Sequence, residues 1–272
     1  MLTNRSDAGR PPEAGGTRDE EVELERYAKE GRDPGPHQPG RRYRIRIDKQ
    51  HKVVDVREMT GAQILGLVDK TPSTHRLDRK MRGGAVKKIE ATDIVDFTEP
   101  GIEKFMTLPL DQTEGAGTAP SGEREGARAV DVLRREFDLP EEDEDELSAV
   151  GMEWETVNAL EQGGSRNPWV FVQDFAVPDG YTDPYGRAIE SLVAGVRLTG
   201  YPGGALDMVY FDPPLRRADG RAIKAVSVLQ VDGRTFQQWS RHYTGTNPFR
   251  VGVDTLASHL RAVSEWLWRE LR

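Results

Sequence analysis

The sequence predicts an α+β protein of two domains, and three observations carry that expectation. A β-hairpin leads into a helix with a full start signal and then into two further strand regions, all within about 70 residues, the size of a small single-core domain. A Gly-rich stretch follows it. The second half reads as helix, a meander of four or five short strands, and a long amphipathic helix. A chain of 272 residues fits two domains of ordinary size.

Taking the elements in order, residues 1–40 are rich in Pro, Gly and charge and read as a disordered tail in which "DEEVELERYAKEG" forms at most a transient helix. The first domain spans 41–112. "YRIRID" and "KVVDVR" alternate and are rich in β-branched residues, and Lys49, Gln50 and His51 between them make the turn of a hairpin. In "MTGAQILGLVDK", Thr60 and Gln63 have the capping-box spacing. Met59 and Ile64 stand where a hydrophobic staple would place them, and Ile64, Leu67 and Val68 form the apolar face. "HRLDRKMRGGAVKKI" gives a strand and a turn at Gly83 and Gly84, and "GIEKFMTLPL" a final strand. Residues 113–127 read as a flexible linker.

The second domain, 128–272, opens with "RAVDVLRREF", where Val130, Leu133 and Phe137 would share one helical face. "LPEEDEDELSAVG" reads as a second helix with Pro140 and carboxylates in its first turn and Gly151 past its end; its acidic run reads as a solvated helix start rather than a metal site. "WVFVQDFAV", "ESLVAGVRL", "LDMVYF" and "IKAVSVLQV" are strands, and Asp232-Gly233 is a strong hairpin signal. In "VDTLASHLRAVSEWLWREL" the apolar residues recur at helical spacing, with Asp254 as the cap.

Composition excludes several chemistries. The chain has no cysteine, which removes disulfides, thiolate metal sites and thioester or thiol nucleophiles. A formal net charge of −8 argues against nucleic-acid binding. No apolar run approaches a membrane span, and the N-terminus lacks a signal-peptide core, so a cytoplasmic protein is expected. His51 and His259 have no partner at metal-ligand spacing and read as surface histidines. No metal or cofactor is expected.

"YRIRID…KVVDVREMTGAQIL", the capping-box helix and "EKFMTLPLDQTEG" together resemble the multiubiquitin type of bacterial ubiquitin-like domain, which implies a β-grasp fold. "FDLPEEDEDELSAVGMEWETV", "PDGY", "GYPGGALDMVYFDPPL", "FQQWSRH" and "GVDTLASHLRAVSEWL" resemble the prokaryotic family E of ubiquitin-conjugating-enzyme-like proteins. Tyr201-Pro202 with Asp207 to Pro214 matches the superfamily's Tyr-Pro junction between sheet strands. This implies an RWD-like antiparallel sheet with flanking helices. It also implies an adenylating activating enzyme, a metal-dependent isopeptidase or other processing peptidase, and protein targets as partners. Conjugating enzymes carry the modifier on a cysteine, and "RADGRAIKAVSVLQV" offers none.

The resemblance therefore implies a modifier fused to a noncatalytic platform. Gly115 and Gly117 follow the last strand of the first domain, where a modifier tail would end, and cleavage after Gly115 would free it; an ordinary Gly-rich linker is the alternative. Two further readings stay open. Ser240 with His242 could carry an acyl group as an oxyester, although the sequence shows no acidic residue to orient the histidine, and Ser227 is a weaker candidate. The chain could also be a two-domain adaptor without transfer chemistry. The basic residues Arg41, Arg42, Arg44, Arg46, Lys87 and Lys88 could meet a partner or only water.

Overall fold

The computed structural model describes residues 21–110, 112–113 and 133–272. The first unit contains β1 (Glu21–Glu23), α1 (Leu24–Glu30), β2 (Arg42–Ile47), β3 (Gln50–Val54), β4 (Glu58–Thr60), α2 (Gly61–Gly66), β5 (His75–Met81), β6 (Val86–Ile89), β7 (Ile94–Asp96) and β8 (Ile102–Pro109). Its sheet runs β3-β2-β8-β5-β6, with β2 and β8 parallel and the other pairs antiparallel. That is the β-grasp order, with α2 lying on the apolar face. The capping box forms as its spacing requires: Thr60 N–H donates to Gln63 Oε1 at 2.8 Å, and Gln63 N–H donates to Thr60 Oγ1 at 3.3 Å.

Residues 21–40 are not the structureless tail that composition suggests. β1 pairs in parallel with the start of β2, from Glu21 opposite Arg42 to Glu23 opposite Arg44. Val22, Leu24 and Tyr27 are buried in the same apolar cluster as Tyr43, Ile45 and Ile47. Gly31, at φ +69°, ends α1 with its N–H on the Ala28 carbonyl. Apolar residues are sparse in this window, yet a sheet edge supplies the hydrogen bonds and the surface that order Val22, Leu24 and Tyr27.

The second unit comprises β9 (Gln112–Thr113), α3 (Glu141–Ala149), β10 (Trp154–Leu160), β11 (Ser165–Ala176), β12 (Tyr181–Thr182), β13 (Ser191–Arg197), β14 (Val209–Asp212), β15 (Arg216–Arg217), β16 (Val226–Val231), β17 (Arg234–Trp239) and α4 (Leu256–Glu270). Six strands form an antiparallel sheet in the order β10-β11-β13-β14-β17-β16, and β9 pairs with the start of β11. The two edge strands meet at one end through a bridge between Glu161 and Val231, so the sheet curls into a half-barrel. Trp169, Phe171, Tyr210 and Phe236 fill its inside, and α3 and α4 cover the other face around Leu147, Trp239, Leu260 and Val263.

Two local expectations change. The stretch 133–137 is not helical: Arg135 makes a parallel bridge to Thr156, and Glu136 N–H donates to the Thr156 carbonyl, so the exposed edge of β10 takes the hydrogen bonds a helix would have used. The cap of α4 is Thr255, which forms a capping box with Ser258; Asp254 instead pairs with Arg250. At the hairpin, Asp232 and Gly233 both have positive φ, +48° and +74°, as a two-residue turn requires.

Candidate functional site

Ser240, His242 and Asp207 come together beyond the end of β17. The Ser240 hydroxyl is 3.1 Å from His242 Nε2, and His242 Nδ1 lies 2.8 and 2.7 Å from the two carboxylate oxygens of Asp207. The acidic partner that the sequence did not reveal is therefore present, 35 residues upstream. No spacing rule connects it to Ser240; the sheet does, because β14 pairs with β17 and brings Val209, just after Asp207, opposite Trp239.

The neighbours fix this geometry. Between Ser240 and His242, Arg241 turns the other way, donating to Glu270 at 2.7 Å and to the Lys224 carbonyl, with its guanidinium over the Trp239 ring. After His242, the Tyr243 hydroxyl meets His259 Nδ1 at 2.9 Å. His259 Nε2 lies 3.2 Å from the Met208 carbonyl, which can only accept, so Nε2 carries the proton and Nδ1 accepts from Tyr243. His259 is thus no surface residue. It is fully buried, and burial pushes its pKa down to about 4, keeping the ring neutral. Burial also raises the Tyr243 hydroxyl to about 12.

Ser227 does not join this group. It sits on β16, and its hydroxyl donates to Gln238. Gly115 and Gly117 lie outside the described residues. Among the described residues, no cluster of His, Cys, Asp and Glu could hold a metal ion, and no helix is long and apolar enough to cross a membrane.

A second constellation lies between the two units, and the acidic run supplies it. Residues 104, 106 and 108 of β8 and 76, 78 and 80 of β5 alternate onto the face opposite the β-grasp core. Glu142 of α3 docks there, accepting from Lys80 at 2.8 Å and from Lys104 at 2.5 Å. Burial alone would raise the Glu142 pKa, but the two ammonium groups outweigh it and hold the carboxyl at about 2. Glu141 pairs with Arg46 and Glu144 with Lys49. Arg76 donates to the Gly200 carbonyl at 2.7 Å, and Leu108 is buried in the cluster of the second unit. The acidic helix start is therefore docked rather than solvated.

The fourth carboxylate of that turn, Asp143, points inward. It accepts from Leu256 N–H at the start of α4 at 2.7 Å, and the Tyr201 hydroxyl is 2.7 Å away. Burial raises its pKa to about 6 against these hydrogen bonds. Of the basic residues in the first unit, Arg46 faces α3, whereas Arg42 and Arg44 pair with Glu21 and Lys88 with Glu90. Arg41 donates to the carbonyls of Pro34 and Pro36.

Residues 43–109 match the family model Multiubiquitin, and residues 139–270 match Prokaryotic E2 family E, the E2 proteins being ubiquitin-conjugating enzymes and their relatives. No curated protein and no solved structure matches the chain. With a β-grasp sheet in the first unit, a curled antiparallel sheet covered by helices on one face in the second and no cysteine anywhere, the chain is a multiubiquitin-type ubiquitin-like domain fused to a cysteine-less domain of prokaryotic E2 family E, a component related to ubiquitin-like conjugation.

Proposed function

We propose that the chain is a modifier joined to its own binding platform: the conjugating-like domain holds a ubiquitin-like domain and takes no thioester itself. The observation that carries this reading is the seating of α3 on the outer face of the ubiquitin-like sheet, with Glu142 shared by Lys80 and Lys104. Lys104 is only 5% exposed, and a lysine that deep needs a carboxylate partner. A ubiquitin-like fold is therefore what this surface of the conjugating-like domain recognises. On the same reading, a processing peptidase cutting after Gly115 frees the modifier, an adenylating enzyme activates the new carboxylate, and an isopeptidase reverses conjugation.

The test is to place a protease site in the segment 114–132, cut the folded protein and follow the two halves by size exclusion. The platform reading expects them to co-elute at low ionic strength and to separate as salt rises. Immediate separation at low salt would sink it. The serine reading is favoured by a different observation, the approach of Asp207 to His242.

A further inference from the structure

Ser240, His242 and Asp207 carry a chemistry that a docking platform does not use. We propose that they form an acyl-accepting site, at which the Ser240 hydroxyl takes an acyl group from a thioester and passes it to an amine or to water. This goes beyond the platform reading and does not rest on it.

The geometry assigns each role. Asp207, against Nδ1, holds the His242 tautomer with hydrogen on Nδ1 and leaves the Nε2 lone pair toward the Ser240 hydroxyl. At 3.1 Å that lone pair is within reach of the hydroxyl proton. The chain turns tightly at Ser240, the Arg241 N–H donating to the Trp239 carbonyl at 3.0 Å, and this turn sets the Ser240 hydroxyl against the His242 ring. Arg241 and Tyr243 are anchored on either side of His242, by Glu270 and His259. His259 also binds the Met208 carbonyl, next to Asp207, so one buried ring links the Tyr243 side chain beside His242 to the backbone beside Asp207. Asp207, Arg241, Tyr243 and His259 are positioning residues; only Ser240 and His242 face the reacting atoms.

The exposure fits a large substrate. The His242 side chain is 57% exposed and that of Asp207 45%, and Ser240 is half-buried beside them, a position that an acyl group at the end of a protein tail can reach. The choice of thioester follows from reactivity. A serine hydroxyl is a weaker nucleophile than a thiolate and needs an activated acyl donor, and a thiolate leaves far more readily than an alkoxide. In the first step His242 Nε2 takes the Ser240 proton, Oγ bonds to the carbonyl carbon and the carbon–sulfur bond breaks, the thiol leaving with the proton from Nε2. In the second, an amine or water gives its proton to Nε2 and attacks the ester carbon. The carbon–Oγ bond breaks, Ser240 recovers a proton, and an amide or free acid departs.

Full-length protein incubated with phenyl thioacetate tests this, followed by thiophenol release and by peptide mapping after an acid quench. The expected result is one acetyl group on Ser240 and thiophenol release that disappears in Ser240→Ala. His242→Gln slows release about a hundredfold and Asp207→Asn at least about tenfold, while Ser227→Ala leaves it unchanged. Circular-dichroism melts confirm that the variants fold. Absence of acetyl on Ser240, or equal rates in wild type and a folded His242→Gln variant, overturns the proposal. Co-elution of the cut halves reports on the platform alone, so failure of one reading is distinguishable from failure of the other.

Discussion

Gly84 and Gly252 meet backbone to backbone across the two domains. A Cβ on Gly252 would overlap the carbonyl oxygen of Gly84, and one on Gly84 would come within 2.9 Å of the Gly252 carbonyl oxygen. Both have positive φ, +89° and +78°. Gly252→Ala therefore adds a clash to the strain of about 1–2 kcal/mol that a side chain meets in that conformation. The expected outcome is undocking, seen as a larger radius of gyration by small-angle scattering. Gly220→Ala is the control: at φ +77° with no atom near its Cβ position, it carries the strain alone and stays docked.

The Glu142 contacts predict how docking responds to charge. Glu142→Gln leaves Lys104 buried without its carboxylate, at a cost on the order of 3 kcal/mol. Glu142→Lys undocks the domains outright, and adding Lys80→Glu to it recovers part of the interaction. The pH dependence has a definite sign. The docked carboxyl titrates at about 2, below the ordinary 4.5, so its contribution is complete above 4.5 and lost as pH falls toward 2. Distance-dependent fluorescence transfer between one label on each domain measures both effects.

How much of this was legible depended on whether the signal was local. Thr60 and Gln63 are three residues apart, and their capping box could be read directly. Asp232-Gly233 likewise dictated its hairpin. Asp207 could not be connected to His242, because only sheet pairing brings them together. The carboxylates of Glu141, Glu142 and Glu144 looked like a solvated helix start, since a helix N-terminus favours acidic residues whether or not a basic surface lies opposite. His259 looked like a surface residue on an amphipathic helix; its burial follows from Tyr243 and Met208, which come from two different segments.

Asp143 is expected to be the most sensitive of the acidic residues. It joins α3 to the first turn of α4 through Leu256 N–H and to the strand junction through Tyr201. Asp143→Ala leaves both donors buried without an acceptor, costing about 1–3 kcal/mol for each. Chemical denaturation should show a drop of a few kcal/mol, whereas Asp145→Ala on the same helix changes stability by less than about 0.5 kcal/mol.

Asp143 and His259 should also compensate each other in the pH dependence of stability. His259 titrates at about 4 when folded and near 6.5 when unfolded, so the unfolded chain binds the extra proton between those values and stability rises with pH there. Asp143 titrates at about 6 when folded and near 3.8 when unfolded, so the folded chain binds the extra proton and stability falls with rising pH over almost the same range. Each shift corresponds to about 3 kcal/mol across its window, and the two have opposite signs. Removing one group should expose the other. Relative to wild type, Asp143→Asn gains stability progressively from pH 4 to 6, and His259→Gln loses it over pH 4 to 6.5. Urea denaturation at half-unit pH steps measures both slopes, and parallel curves for wild type and either variant would show that the group concerned is not buried in the folded protein.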